Sequence, residues 1–407
     1  MSLKTIDQFF KPEGGPEIRI RSAKADDARR IQVLYTEIYG ANYPIQIVFD
    51  AALMRKAIES SHYFWLVGEH NGRIIASLIY EISAEQRLAK ALGAVVSRDY
   101  RKHNLANTMM KLILDKITKE EQLVDVVYAT TRTVSTAPQQ MTRTMGFVPL
   151  GIFPNAHKVF EHETHCLSAY YLPQAWKERK TPVRLLKNAA PFFWLTAKGL
   201  AKKGLEPGKP KIDRVNYGSS AGSRKPTPET SLINFELVRA PNFALERFKK
   251  FGNAGVFSNW YVPFHQPNLL LISTDQKTEI YVHHGERDRY AVITGGRSEL
   301  SNLSLILNSA SQALLGLNVS YIETLVDAYS PELQWQAMHA RFLPSAYFPA
   351  MRRVGKKRWD YIVFSRSFDM LDFRNVTLMP AYRGFLREYL KIWQELYIDS
   401  AFSGRKK

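Results

Sequence analysis

Residues 95–106 read VVSRDYRKHNLA, a hydrophobic strand end followed by a basic turn and the first residues of a helix. The free N–H groups and the positive dipole end of a helix N-terminus suit a phosphate group. Arg98, Arg101, Lys102 and His103 place further positive charge at the same point. The segment therefore predicts a phosphate-binding turn, with an ordinary strand–helix connection as the alternative.

Strand and helix signals alternate on both sides of this turn. Period-two alternation, hydrophobic periodicity and an Asn-Gly turn signal at residues 71–72 predict an α/β fold with antiparallel strands first and helical crossovers later. The predicted strands are 17–21, 63–67, 74–82, 89–96, 124–129, 147–153 and 165–172, and the predicted helices are 26–39, 105–117 and 138–145.

The order of these elements and two short motifs resemble the GNAT superfamily, the Gcn5-related N-acetyltransferases. That family has Arg/Gln-x-x-Gly-x-Gly/Ala at the start of its third helix, where this chain has RKHNLA at 101–106. Asn104 replaces the usual glycine, and asparagine tolerates a left-handed backbone better than most residues do. Residues 141–147 (MTRTMGF) match the short family helix that ends in Gly-Phe. The resemblance covers residues 17–172.

This resemblance implies a mixed-sheet α/β (α+β) domain that binds acetyl-CoA or another acyl-CoA as co-substrate. An amine acceptor would attack the thioester directly, so that catalysis needs positioning, one general base and one general acid. The residues implied to hold the pyrophosphate through their backbone are Arg101, Lys102, His103, Asn104, Leu105 and Ala106, and those implied to hold the thioester carbonyl are Val95, Val96 and Ser97.

The acid and base positions depart from the family pattern. The family often has a Tyr four positions before the Gly of Gly-Phe, where this chain has Thr142, and an Asn after the fifth strand, near the position of Ser135 or Thr136. The candidate acids are therefore Ser135, acting through a water, and Tyr128 at the end of its strand. Glu81 is the candidate base, and a solvated strand-end carboxylate is the alternative for it.

A second, related half follows the first. Residues 146–159 (GFVPLGIFPNAHKV) recur 195 positions later as 341–354 (RFLPSAYFPAMRRV), with five of 14 positions identical. Roughly one identity is expected by chance at ordinary composition. Similarity over this distance suggests a duplicated domain. The second copy has no family motif at the start of its central helix, predicted near 300–315, although Gly295-Gly296-Arg297 offers a candidate anion-binding turn.

These signals divide the chain into five parts. Residues 177–229 hold 13 Lys or Arg against 4 acidic residues, which marks a basic linker between the halves. Two GNAT-like domains in tandem are therefore predicted, as in mycothiol synthase and the protein N-myristoyltransferases. The predicted parts are an N-terminal extension (1–16), the acyl-CoA-binding domain (17–175), the linker (176–231), a degenerate GNAT-like domain (232–400) and a basic tail (401–407).

The composition limits the partners. Lys and Arg number 56 against 38 acidic residues, a net charge of +18, which favours anionic ligands. A single cysteine, Cys166, excludes a disulfide framework and a multi-Cys zinc site. The spacing of His157, His162 and His165 fits no standard zinc pattern, so no metal is expected. No nucleic-acid motif is present.

The absence of a signal peptide or a long apolar run predicts a cytoplasmic protein. The basic, aromatic segment 181–203 either lies on an anionic membrane surface or packs its Phe/Trp side on a domain. The sequence thus predicts an acyl-CoA-dependent N-acyltransferase whose first half is active. The alternative is a catalytically silent module that binds acyl-CoA or another anionic nucleotide as a sensor or membrane-surface adaptor.

Overall fold

The computed structural model describes residues 5–40, 43, 45–101, 103–158, 161–214, 232–253, 263–399 and 402. It contains two compact units that interleave along the chain. Unit 1 comprises Met1–Val148, Val159–Glu161 and Leu167–Lys177, and unit 2 comprises Pro149–Lys158, His162–Cys166 and Glu178–Lys407. The C-terminal part of the predicted linker, 215–231, lies outside the described residues.

The strands and helices follow in chain order. The first half has β1 (Asp7–Phe10), β2 (Ile18–Ser22), α1 (Ala28–Tyr39), α2 (Ala51–Glu59), β3 (Tyr63–His70), β4 (Arg73–Ser83), β5 (Leu88–Val96), α3 (Leu105–Asp115), β6 (Val126–Arg132), α4 (Ala137–Thr144), β7 (Val148–Lys158), β8 (His162–Tyr171) and α5 (Pro173–Lys177). The remainder has β9 (Arg184–Leu186), α6 (Ala190–Ala201), β10 (Lys211–Asp213), β11 (Phe235–Val238), α7 (Pro241–Asn253), β12 (Leu269–Ser273), β13 (Thr278–Gly285), β14 (Tyr290–Ser298), α8 (Leu303–Leu315), β15 (Tyr321–Asp327), α9 (Pro331–His339), β16 (Leu343–Val354), β17 (Lys357–Ser367) and α10 (Pro380–Gln394).

Unit 1 is a twisted sheet covered by helices on both faces. Strands β1 to β5 pair antiparallel in chain order, and β6 pairs parallel with β5. Helices α1 and α2 bury Ile31, Leu34 and Met54 against Trp65 and neighbouring residues on one face. Helix α3 packs on the opposite face. The predicted mixed α/β class is confirmed.

Local signals placed the β3–β4 hairpin correctly. Its turn residues Asn71 and Gly72 both have positive φ, 47° and 73°. Asn-Gly is the sequence that favours such a two-residue turn, because both residues tolerate this backbone. The hairpin predicted from residues 63–82 is therefore confirmed.

Strands β5 and β6 separate at their C-terminal ends. They are paired only from Leu88–Val126 to Ala91–Ala129, although β5 continues to Val96 and β6 to Arg132. The separation leaves a wedge-shaped gap in the sheet of unit 1. The start of α3 follows directly from the β5 side of this gap.

The C-terminal half of the chain has an element order similar to that of β2 to β8. A strand and a helix (β11, α7) precede three antiparallel strands, then α8, a strand β15 parallel to β14, a helix, and the β16–β17 hairpin. Strands β7 and β16, which carry the sequence repeat, pair antiparallel at Gly151 and Ala346. A Cβ atom at Gly151 would lie 2.2 Å from the Ala346 Cβ, so this strand contact requires glycine.

The prediction of an anion-binding turn at Gly295-Gly296-Arg297 is wrong. These residues belong to β14 and pair with Tyr281, Ile280 and Glu279 of β13. The Arg297 guanidinium is ion-paired with the buried Glu279 carboxylate. Long-range strand pairing, which a local reading of Gly-Gly cannot detect, decides the conformation here.

Helix α6 packs into unit 2. Phe192 and Phe193 are fully buried in its core, and Leu195 packs against that core. Trp194 is half exposed, at 50%. The aromatic side of segment 181–203 is therefore used for packing, which leaves the membrane-surface interpretation without support. Among the described residues, no helix is both long and apolar enough to cross a membrane.

Unit 2 contains a buried ion pair. Arg179 donates to Asp360 from Nε (2.8 Å to Oδ2) and from Nη2 (2.6 Å), and also to the Tyr347 hydroxyl (2.9 Å). The side chains of Arg179 and Asp360 are 2% and 0% exposed. Breaking such a pair leaves a buried charge without its partner.

We therefore expect Arg179→Met to reduce the free energy of unfolding of unit 2 by about 3–5 kcal/mol. Denaturant unfolding monitored by tryptophan fluorescence measures this change. The control is Arg19→Met, which removes an exposed pair with Asp7 (44% and 49% exposed) and should cost under ~1 kcal/mol. Equal losses in the two variants would contradict the prediction.

Candidate active site

The start of α3 has the form expected of an anion-binding turn. Asn104 is its N-cap residue and has φ 57° and ψ 10°, the left-handed conformation that the sequence predicted. Its side chain makes no capping hydrogen bond; its Oδ1 accepts instead from Asn107 Nδ2 at 2.6 Å. Within the described residues, Asn104 therefore leaves the first amides of α3 without a side-chain capping hydrogen bond. Lys102 lies outside the described residues.

The C-terminal end of β5 leads into this turn. The Arg101 side chain donates from Nε to the Val96 carbonyl at 3.1 Å. Ser97 is fully buried, its amide donates to the Ile75 carbonyl at 2.8 Å, and its hydroxyl donates to Glu37 at 3.1 Å. The Ser97 amide is therefore already used by the sheet, whereas Val95 and Val96 lie in the part of β5 that extends beyond its pairing with β6.

A β-bulge shapes β5 beside the gap. The register shifts between Ser77 and Ile79 of β4, and Gly93 has φ +65°. Tyr35 of α1 is fully buried, and its hydroxyl donates to the Gly93 carbonyl. Trp65 Nε1 donates to Ser77 Oγ at 2.8 Å in the same network. Buried hydrogen bonds therefore hold the bulge in one conformation.

Gly93→Ala should disturb both the fold and the site. A Cβ at this position would lie 2.8 Å from both the Tyr35 hydroxyl and Ile79 Cδ1, in a backbone that disfavours side chains. We expect a loss of about 2–4 kcal/mol in the free energy of unfolding. Gly72→Ala has a similar φ of +73° but no atom within 4 Å of its Cβ, so it should cost only the backbone part. Thermal unfolding of both variants measures the difference, and equal losses would refute the role of the contact.

Four polar side chains form one row across the sheet. Tyr63 of β3 pairs with Glu81 of β4, Glu81 with Lys90 of β5, and Lys90 with Tyr128 of β6. Directly paired residues point to the same face, here the face covered by α1 and α2. The row ends one residue before β5 and β6 separate after Ala91. Two of the predicted residues, Glu81 and Tyr128, thus lie in one row beside the gap.

The environment of Glu81 changes its acidity. Burial raises the pKa of the Glu81 carboxyl, and nearby Lys90, the Tyr63 hydroxyl and His62 offset this in part. The Tyr63 hydroxyl donates to Glu81 Oε1 at 3.1 Å. A carboxylate with a raised pKa is a stronger proton acceptor than an ordinary surface glutamate.

Ser135 does not join the row. It is exposed in the bend that precedes α4, and its carbonyl accepts from Gln139 Nε2 at 3.3 Å. Thr142, which occupies the family's tyrosine position, is fully buried and donates its hydroxyl to the Gln139 carbonyl at 3.0 Å. The Thr142 hydroxyl is therefore committed to its own helix.

In α8, the corresponding helix of unit 2, amides of the first turn are already hydrogen-bonded to side chains. Asn302 Oδ1 accepts from the Leu305 amide at 3.0 Å, and Gln336 Oε1 of α9 accepts from the Leu303 amide at 2.6 Å. At a separate point, just beyond the end of β15, the Arg184 amide of β9 donates to the Ala328 carbonyl. Side chains thus satisfy amides at the start of α8 that the start of α3 leaves open.

The histidines of the β7–β8 hairpin pair with carboxylates. His157 Nδ1 lies 2.6 Å from Asp288 Oδ2, and His162 Nε2 lies 2.8 Å from Asp369 Oδ2. Within the described residues, no group of three or more His, Cys, Asp and Glu side chains is arranged to hold a metal ion.

Residues 28–147 match the family model for the acetyltransferase (GNAT) family. This part of the chain is a GNAT acetyltransferase domain. The match covers α1 to the end of α4, and so includes the bulge, the polar row and the start of α3. No curated protein matched the chain.

Solved GNAT structures resemble part of the chain. The ribosomal-protein-S5-alanine acetyltransferase of Vibrio fischeri is 15% identical over 40% of this chain and 97% of its own, with a TM-score of 0.35. The Escherichia coli ribosomal-protein-S18-alanine N-acetyltransferase is 15% identical over 38% and 93%, with a TM-score of 0.33. Arabidopsis thaliana NAA60 in complex with acetyl-CoA is 13% identical over 38% and 98%, with a TM-score of 0.33.

Sequence reasoning missed several residues of this site. Lys90 and Tyr63 join the row only through strand register, and Gly93 and Tyr35 meet across 58 positions of sequence. The single available signal was Gly93 inside an otherwise continuous strand, since an isolated strand glycine indicates a bulge.

Proposed function

We propose that the chain is an acyl-CoA-dependent N-acetyltransferase whose first unit binds acetyl-CoA at the start of α3 and transfers the acetyl group to an amine. The observation that carries this proposal is the contrast between the two helix starts. Asn104 leaves the amides of α3 open, whereas Asn302 and Gln336 occupy those of α8. A pyrophosphate needs such open amides and nearby positive charge.

In the proposed reaction, residues of the polar row act as the general base and the general acid. Glu81 accepts a proton from the amine, whose nitrogen attacks the thioester carbonyl carbon. The C–N bond forms, the C–S bond breaks, and the thiolate takes a proton from the Tyr128 hydroxyl, with Ser135 acting through a water as the second candidate. The gap between β5 and β6 brings the thioester to the main chain of Val95 and Val96.

We also propose that unit 2 is a degenerate copy of the first domain. Its element order, the parallel β14–β15 pair and the repeat at 341–354 support a duplication. Its cofactor position has been filled by its own side chains. Unit 2 then has no second acetyl-CoA site.

Thiol release from acetyl-CoA in the presence of an amine panel tests the function. Turnover that disappears in Glu81→Ala, while acetyl-CoA still binds, supports an enzyme. Binding without turnover for any amine supports the silent acyl-CoA-binding module instead. Absence of acetyl-CoA binding would exclude the acetyltransferase and leave only a silent module for another acyl-CoA or anionic nucleotide.

A further inference from the structure

Helices α6 and α10 of unit 2 pack directly against each other. The ring centres of Phe192 and Phe385 lie 6.2 Å apart. A Cβ atom at Gly384 would lie 2.7 Å from Leu195 Cδ2, so glycine at this position allows the two helices to approach closely. The exposed sides of α6 and α10 therefore lie next to each other.

Each of the two helices carries a row of exposed side chains beside this contact. Within a row the side chains recur every four residues, so they share one face of the helix and are about 6 Å apart along its axis. The rows begin at the residues that precede Leu195 and Gly384. Their members are Trp194, Lys198 and Lys202 on α6 and its C-cap, and Arg383, Arg387 and Lys391 on α10. These six side chains form what we call the α6–α10 surface.

The positive charge of the α6–α10 surface is not balanced by acidic residues. Helix α6 contains no acidic residue, and α10 contains only Glu388, which is half-buried. Among the described residues, none of the five basic side chains forms an ion pair, and Arg383 Nε donates to the Leu378 carbonyl at 3.4 Å. A cluster of cations without carboxylate partners attracts a polyanion.

Trp194 adds an aromatic ring to this basic surface. Its side chain is 50% exposed, whereas Phe192 and Phe193 are fully buried. The ring centres of Trp194 and Phe193 lie 5.0 Å apart with their planes at 86°, an edge-to-face contact that holds the indole in place. An unpaired nucleic-acid base stacks on such a ring, and all four bases can do so.

Other polyanions fit this surface less well than a single-stranded nucleic acid. Binding to a membrane surface uses a broad apolar helix face, but Trp194 is the one exposed large hydrophobic side chain among the described residues of α6 and α10. The carboxylates of an acidic peptide match the charge and offer no planar group to the indole. In a nucleic-acid duplex the bases are paired with each other and are not available for stacking on a side chain.

We propose that the α6–α10 surface of unit 2 binds single-stranded nucleic acid. A base stacks on Trp194, and the phosphates are contacted by the five basic side chains, Lys198, Lys202, Arg383, Arg387 and Lys391. All six residues belong to unit 2, so this binding does not depend on the acetyl-CoA site proposed in unit 1.

Fluorescence anisotropy of end-labelled oligonucleotides, titrated with the full chain at several salt concentrations, tests the proposal. The probes are oligo(U) and oligo(dT) of about ten nucleotides and a duplex of the same length, within the range of ~4–16 nucleotides of known single-strand sites. We expect both single strands to bind with a Kd in the micromolar range, and the slope of log K against log[salt] to be about −3.5 if all five cations contact phosphates. The duplex should bind more weakly, because its bases cannot stack on Trp194. The tighter of the two single strands identifies RNA or DNA as the ligand.

Two kinds of variant separate stacking from charge. Trp194→Ala should weaken binding about fivefold to a hundredfold without changing the salt slope, and Trp194→Phe should restore part of the loss. Arg387→Gln with Lys391→Gln should reduce the salt slope by about 1.4, since each phosphate contact contributes about 0.7. The matched control is Lys356→Gln with Lys357→Gln, which removes two exposed lysines at the β16–β17 turn and changes the net charge equally. This control should keep the wild-type slope.

Several results would overturn the inference. These are binding that is unaffected by Trp194→Ala, an equal loss in the Lys356/Lys357 control, and duplex binding as tight as that of the single strands. Binding to phosphatidylserine-containing vesicles or to poly-glutamate, without binding to either single strand, would assign the surface to a membrane or an acidic protein instead. All substituted side chains are exposed, so thermal unfolding of each variant should match the wild type and shows that a loss of binding is not a loss of fold.

Discussion

Glu81→Gln is expected to lower kcat about 10²- to 10⁴-fold, the usual contribution of a positioned general base. Glutamine keeps the size and the hydrogen bond from the Tyr63 hydroxyl but cannot accept the amine proton. Acetyl-CoA binding should remain within about twofold of wild type, because Glu81 lies in the row and not at the start of α3.

Single-turnover acetyl transfer, followed by thiol release, measures this loss. The matched control is Glu85→Gln, an exposed glutamate in the turn between β4 and β5 that should retain full activity. A kcat in Glu81→Gln within a factor of three of wild type would remove Glu81 from the mechanism, and a parallel loss in Glu85→Gln would point to an indirect effect.

The pH dependence of kcat/KM is a second test of Glu81 as the general base. A base is active when deprotonated, and burial raises the pKa of Glu81, so kcat/KM should rise through a pH above the ordinary glutamate range of about 4.3. Lys90 favours the ionised carboxylate. Its removal in Lys90→Met should therefore move the acidic limb to still higher pH, and a shift to lower pH would contradict the assignment.

The parts of the fold that were predicted correctly depend on local chemistry. The hairpin at Asn71-Gly72 and the left-handed cap at Asn104 each follow from residues that are adjacent in sequence. The sequence repeat at 341–354 was visible for the same reason, since it needs only comparison of two short segments.

The parts that were missed depend on register and on distant partners. The row from Tyr63 to Tyr128 exists because three strand pairings align four residues. A one-residue shift in the register of a strand would move its side chains to the other face of the sheet. The cap of α8 comes from Gln336, 33 positions after Leu303. Arg179 and Asp360 are 181 positions apart. No local sequence pattern predicts contacts between residues that are so far apart in the chain.

Charge reversal at the start of α3 is expected to abolish acetyl-CoA binding. Arg101→Glu with Asn104→Asp places two carboxylates where the pyrophosphate would lie, and aspartate still tolerates the left-handed backbone of residue 104. The variant changes the net charge by −3. Asn302→Asp with Arg29→Glu makes the same change at the closed start of α8 and at an exposed site on α1.

Calorimetric titration of acetyl-CoA into the wild type and these two double variants tests the cofactor assignment most directly. We expect micromolar binding with one site per chain in the wild type and in the Asn302→Asp/Arg29→Glu control, and none in Arg101→Glu/Asn104→Asp. Unchanged binding in the α3 variant, or loss of binding in the α8 control, would contradict the assignment of the acetyl-CoA site to the first unit.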